Sequence, residues 1–183
     1  METINDIKRK ISEARLKYRP TKIKTIIVAE APPDSIERFF YFENVKVADF
    51  LFLGIIEVLY PKLKDQYMNW NQRRSPIIKR QILNRFMSDG YFLLDLSEIP
   101  KGLLKKPINS CLDDLITRIP SKKINVILIK ANVYDCCYKK LLNDGYSVIN
   151  KRIPFPSTGQ QIIFKKLFNE AIELQNENHT RLY

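Results

Sequence analysis

The chain has 183 residues, 45% of them hydrophobic and 28% charged, the make-up of an ordinary globular protein with room for one full core. Its 31 Lys and Arg against 20 Asp and Glu give a formal net charge of +11 and a pI near 9.6, a field that favours nucleic acid or an anionic membrane as partner; a basic surface serving solubility is the plainer alternative. The three cysteines, Cys111, Cys136 and Cys137, are odd in number and hold no Cys-x-x-Cys pair, which argues against a disulfide framework, a zinc site or an iron–sulfur cluster and fits a reducing cytoplasm.

The first ten residues are polar and charged, unlike a signal peptide. Ile4, Ile7, Ile11 and Ala14 recur at helical spacing over 2–16, and Pro20 closes that helix. Residues 25–29 are apolar without alternation, the pattern of a strand buried on both faces. A long aromatic loop follows to 44. Residues 45–60 read as a well-buried helix, too short and too charged to span a bilayer, with Pro61 at its end. Residues 62–74 are polar and irregular, and Trp70 among them is a stacking or anchoring ring. Ser75-Pro76 opens the next helix, Ile78, Ile82 and Phe86 line its inner face, and Gly90 stops it. Residues 91–95 are a second buried strand.

A basic loop over 97–107 carries Lys101, Lys105 and Lys106, and Asn109 caps a helix to about 119. Residues 124–129 form the third strand, 132–145 a helix, and 146–149 the fourth strand. After Pro154 the last helix spans 160–175, with Ile163, Leu167, Phe168 and Ile172 inward, and the tail over 176–183 is expected to fray. Strands alternating with helices predict one domain, a three-layer α/β/α sandwich on a four-stranded parallel sheet. In such a sheet the turns after the first and last strands share one edge, where open α/β folds bind ligands.

Those two turns carry the informative motifs. Ala29-Glu30-Ala31-Pro32-Pro33 follows the first strand, and Phe155-Pro156-Ser157 follows the last. Together with the layout they resemble the uracil-DNA glycosylase superfamily, whose first motif reads Gly-Glu-Ala-Pro-Gly in its iron–sulfur branch and whose second is typically His-Pro-Ser. The specific motifs cover about 20 residues, the architecture most of the chain. The resemblance implies a DNA-binding protein that excises or senses a damaged or modified base, without a cofactor. It implies Glu30 as the carboxylate that orients water and supports the sugar cation, Tyr41 or Phe42 as the ring stacked on the extruded base, and Asp95 as the base-reading group where the family has asparagine. Pro156 and Ser157 would press on the DNA backbone. Lys101, Lys105, Lys106, Lys151 and Arg152 would meet phosphates on the same edge.

Departures shape that expectation. Phe155 stands where the family's histidine stabilises the departing base, and the one histidine of the chain, His179, lies in the tail. Losing such a donor costs a factor of roughly 100 to 1,000 in rate unless another group, such as Lys130 or a backbone amide, takes its place. An ionised Asp95 only accepts hydrogen bonds, so it favours an exocyclic amine over a uracil carbonyl. The iron–sulfur cysteines have no counterparts. The chain also lacks a Gly-rich phosphate loop, a nucleophile triad and a metal-ligand cluster. Two other readings fit the same residues: a non-catalytic nucleic-acid or protein-binding module, and an enzyme for a small anionic substrate.

Overall fold

The structure is a computed structural model that describes residues 3–69, 71 and 73–180, with side chains to Asn176. Trp70 and the side chain of His179 lie outside the described residues. Among the described residues, seven α-helices surround a four-stranded, all-parallel sheet, a three-layer α/β/α sandwich as expected. In chain order they are α1 (Ile4–Lys17), β1 (Thr25–Ala29), α2 (Phe50–Leu59), α3 (Pro61–Met68), α4 (Pro76–Ser88) and β2 (Tyr91–Asp95). Then come α5 (Leu112–Arg118), β3 (Asn125–Leu128), α6 (Ala131–Asn143), β4 (Ser147–Val148) and α7 (Gln161–Thr180).

The strand order is β2-β1-β3-β4. β1 is central and every residue of it is buried, because helices cover both faces and leave no side to face water. Each fully buried side chain such as Ile26 or Ile27 contributes about 1.5–3 kcal/mol. The register places Ala29 beside Asp95 and Val28 beside Leu128. Continued by two residues, it brings Glu30 level with Lys130. The ladder does continue: Leu96 N–H donates to the Ala29 carbonyl (2.8 Å), Ser97 N–H to that of Glu30 (3.0 Å) and Ile129 N–H to that of Val28 (2.8 Å). Glu30 is therefore held at the carboxyl edge by main-chain geometry.

Several boundaries differ from the sequence reading. The buried helix expected over 45–60 begins at Phe50, and residues 45–49 are an irregular approach ending at Asp49. The stretch read as irregular contains α3, which starts at Pro61: that proline terminates one helix and serves as the first residue of the next. Ser75 precedes α4 as foreseen but makes no side-chain cap bond, and Gly90 ends it at φ +89°. α7 extends past the 160–175 expected. Buried Gln175 accepts from the Thr25 hydroxyl (2.8 Å) and donates to that of Tyr91 (3.0 Å), which pins the helix to the sheet, and it runs on to Thr180. Its buried face is Phe164, Phe168 and Ala171, while Ile163 is exposed. All three cysteines are free, and no described helix is long and apolar enough to cross a membrane.

Candidate functional site

A cleft of about 400 Å³ opens at the carboxyl edge of the sheet. The first proline corner, residues 29–34, forms one side, Phe155 of the second corner another, and Asp95 part of the floor. The two corners do meet above one rim. Residues 38–40 and 48–52 complete the wall, with the rings of Phe39, Phe40, Phe50 and Phe52, and Lys101 and Lys130 supply cations.

Glu30 is the organised acid of this cleft. Its side chain is only 12% exposed. Lys130 Nζ reaches Oε2, Asn132 Nδ2 donates to Oε1, and Lys101 Nζ stands 3.3 Å from Oε1. Burial by itself would raise its pKa. The hydrogen bonds from Lys130 and Asn132 and the charges of Lys130 and Lys101 outweigh it, so Glu30 sits below its ordinary value and is ionised at neutral pH. Asn132 Oδ1 is buried without a hydrogen-bond partner.

Lys130 adopts φ +84°, ψ 135°, a region that side chains beyond glycine rarely enter. Both its neighbours enforce this. Its N–H donates to the Ile153 carbonyl (2.8 Å), and its carbonyl accepts from Val133 and Tyr134 N–H (both 3.1 Å) as the N-cap of α6. The chain must turn sharply from strand to helix within one residue, and the turn aims the amine at Glu30. Strain of this kind concentrates at functional positions.

Asp95 lines the cleft but is committed elsewhere. It is 2% exposed and accepts from Arg15 of α1 at 2.6 Å. Burial pushes its pKa up, against the charges of Arg15 and Arg118. The expected base reader is thus one half of a buried ion pair. Arg118 secures the same strand end through the carbonyls of Asp95 (2.9 Å) and Leu96 (3.1 Å). Tyr41 is also displaced from its expected role. It is 1% exposed, accepts from Leu93 N–H (2.7 Å) and donates to the Leu93 carbonyl (3.3 Å). β2 is an edge strand, and the phenol satisfies backbone groups that no fifth strand pairs. Phe42 packs edge-on against Phe39 and faces a separate groove beside Lys17 and Glu43. Of the lining rings, Phe50 and Phe155 are partly exposed and open to a planar ligand, whereas Phe39 is as buried as Tyr41.

The second corner is turned the other way from expectation. Pro156 is buried against Gly54 of α2, where a Cβ would stand 2.9 Å from Pro156 Cβ and from the Phe164 ring. Only glycine lets α2 pass that close. Ser157 is half-buried in the turn, its N–H donating to the Phe155 carbonyl (2.8 Å). Of the expected phosphate contacts, Lys101 is engaged by Glu30, Lys151 by Glu170 (2.6 Å) and Arg152 by both oxygens of Asp135 (2.7 and 2.8 Å). Lys105 and Lys106 are exposed and have no ion-pair partner among the described residues.

A second cluster backs the cleft and escaped the sequence reading. Asp49, in the cleft wall, is 4% exposed and accepts from Arg74 (2.7 Å) and Lys79 (2.9 Å). Lys79 is wholly buried over the Phe52 ring at 4.1 Å, and burial lowers its pKa to about 8 against the attraction of Asp49. A signal was present: Lys79 shares the stripe of Ile82, Leu83 and Phe86, as Arg15 shares that of Ile11. A charge on a buried stripe requires a buried partner.

Compared with protein-family models, curated proteins and solved structures, the chain has no match. The case for a function rests on the cleft itself. Among the described residues no group of three or more His, Cys, Asp or Glu is placed to hold a metal ion.

Proposed function

We propose that the cleft is a nucleobase pocket and that the protein binds DNA and excises a damaged or modified base, in the manner of the uracil-DNA glycosylase superfamily that its motifs resemble. The observation that carries this reading is the ionised, half-enclosed Glu30 between two proline corners, facing ring-lined space of about 400 Å³. That volume suits a small planar ligand. Base excision needs a negative group near the sugar, a donor for the departing base and a wall for the extruded ring.

Glu30 takes the first role, and Lys130 takes the second in place of the absent histidine. A water oxygen bonds to C1′ as the glycosidic C–N bond breaks, and the electron pair leaves with the base. Glu30 orients the water and accepts its proton, and the Lys130 ammonium donates a hydrogen bond to the base anion. Phe50 and Phe155 hold the ring. Asp95 supports the floor through Arg15 and is not assigned base reading.

The test is an oligonucleotide panel carrying uracil, hypoxanthine, xanthine and alkylated bases, scored for abasic sites by alkaline strand cleavage. Activity on one member, reduced at least about 100-fold by Glu30→Gln, is the expected result. An unchanged rate in Glu30→Gln removes the catalytic role. The second reading is a sensor that binds the base without cleavage, favoured by the three donors that already engage Glu30. It predicts base-dependent affinity with no abasic product. Absence of both results refutes the nucleobase pocket.

A further inference from the structure

A broad groove of about 1230 Å³ lies beside the cleft, between the approach to α2 and the start of α4. Lys46, Arg73 and Arg74 line it with the side-chain amides of Asn44, Gln66 and Gln81. The groove and the cleft share Ala48. Arg74 joins them as well, because it lines the groove while its guanidinium holds Asp49 in the cleft wall at 2.7 Å. We infer that this groove carries the sugar–phosphate backbone of the DNA strand whose base enters the cleft, with Lys46 and Arg73 as its phosphate contacts. The inference rests on the nucleobase reading of the cleft.

Three observations support the placement. First, three of the five cations expected to meet phosphates are already paired: Lys101, Lys151 and Arg152 each hold a carboxylate. Lys46 and Arg73 are exposed and have no ion-pair partner among the described residues, so a phosphate can take them without breaking a pair. Second, Arg74 is the other non-glycine residue at positive φ, +60°, among the described residues. Its N–H donates to the Tyr67 carbonyl at 2.7 Å. Strained backbone thus marks both cavities, Lys130 at the cleft and Arg74 at the groove. Third, the described lining of the groove holds three cations and no carboxylate, beside amides and the apolar Pro76, Ile77 and Ile78, a mixture that suits phosphates and sugars with bases laid on the apolar part.

Fluorescence anisotropy of a labelled single-stranded oligodeoxynucleotide of about 20 nucleotides, titrated at about 50 to 300 mM salt, tests this. Three double charge reversals change net charge equally: Lys46→Glu with Arg73→Glu, Lys105→Glu with Lys106→Glu, and Lys123→Glu with Lys139→Glu on exposed surface away from both cavities. The groove double is expected to weaken binding about tenfold or more and to make the slope of log K against log salt shallower by about 1.4. The other two lose clearly less. Equal losses in all three, or a larger loss at Lys105 and Lys106, overturn the groove assignment. Abasic product from an active panel member, retained by the groove double at unchanged KM, overturns the groove and leaves the cleft reading intact. No binding by the unaltered protein overturns both. Circular dichroism on each variant separates lost contacts from lost folding.

Discussion

Replacing Lys130 by glycine, alanine and serine weighs the strain at the cleft edge. All three changes remove the amine from Glu30, which keeps Asn132 and Lys101 and is not left alone. The Lys130 side chain is 37% exposed, so the lost ion pair costs each variant the same small amount, about 0–1 kcal/mol. Only glycine relaxes at φ +84°, ψ 135°. That conformation costs a side-chain-bearing residue about 1–3 kcal/mol, and glycine's larger entropy in the unfolded chain returns about 0.5–1 kcal/mol of the gain. Lys130→Gly should therefore exceed Lys130→Ala by about 1–2 kcal/mol, or about 2–8 °C in Tm for a chain of this length. Glycine is also a better N-cap than alanine, and serine separates the two effects because it caps well yet resists positive φ. Urea unfolding followed by circular dichroism measures the series. Lys130→Ser as stable as Lys130→Gly refutes the strain, since capping alone would then explain the difference. The same three variants should all lose base excision in the panel assay, the stabilised one included.

The buried cluster behind the cleft gives a second expectation. Asp49→Asn removes the counter-charge of Lys79 and should destabilise the fold by about 3–5 kcal/mol. Lys79 is held at about 8, below its ordinary 10.5, and falls further in the variant. Above the folded pKa the unfolded chain binds the extra proton, so stability of Asp49→Asn should rise with pH toward 10.5 more steeply than that of the parent; parallel profiles in thermal melts would contradict this. Glu43 governs the acid side. Burial raises its pKa, but hydrogen bonds from Arg80, Lys17 and Tyr18 outweigh it and bring it to about 2 from 4.5. Its contribution is complete above pH 4.5 and is lost as pH falls toward 2, so Glu43→Gln should be less stable than the parent at pH 6 and converge with it near pH 2. A constant gap in acid titrations would exclude Glu43 as the source.

Much of the frame was legible in order of residues alone. Continuous apolar runs at 25–29 and 91–95 have one stable use, strands covered on both faces, and prolines and glycines mark where elements stop. Pro61 was misleading because a proline that closes one helix is equally suited to begin another, and a polar composition hid α3. Glu30 could be singled out since the chain places it one residue beyond a buried strand, and parallel register then leaves it a single rim to occupy.

Tertiary packing decided which neighbours share that rim and which way each faces. Tyr41 and Phe42 are adjacent in the chain, yet one fills the unpaired edge of β2 and the other faces a different groove. Asp95 is claimed by Arg15 from 80 residues away, and Lys130 meets Glu30 across 100. Composition and periodicity report how much of a side chain must be hidden, because burial follows from local apolar pattern. They do not report its partner, because a charge is matched by whatever the folded chain brings within a few ångströms. Strand and helix were thus written locally, and the cleft, its acid and the cations that engage it arose only when the helices packed on the sheet.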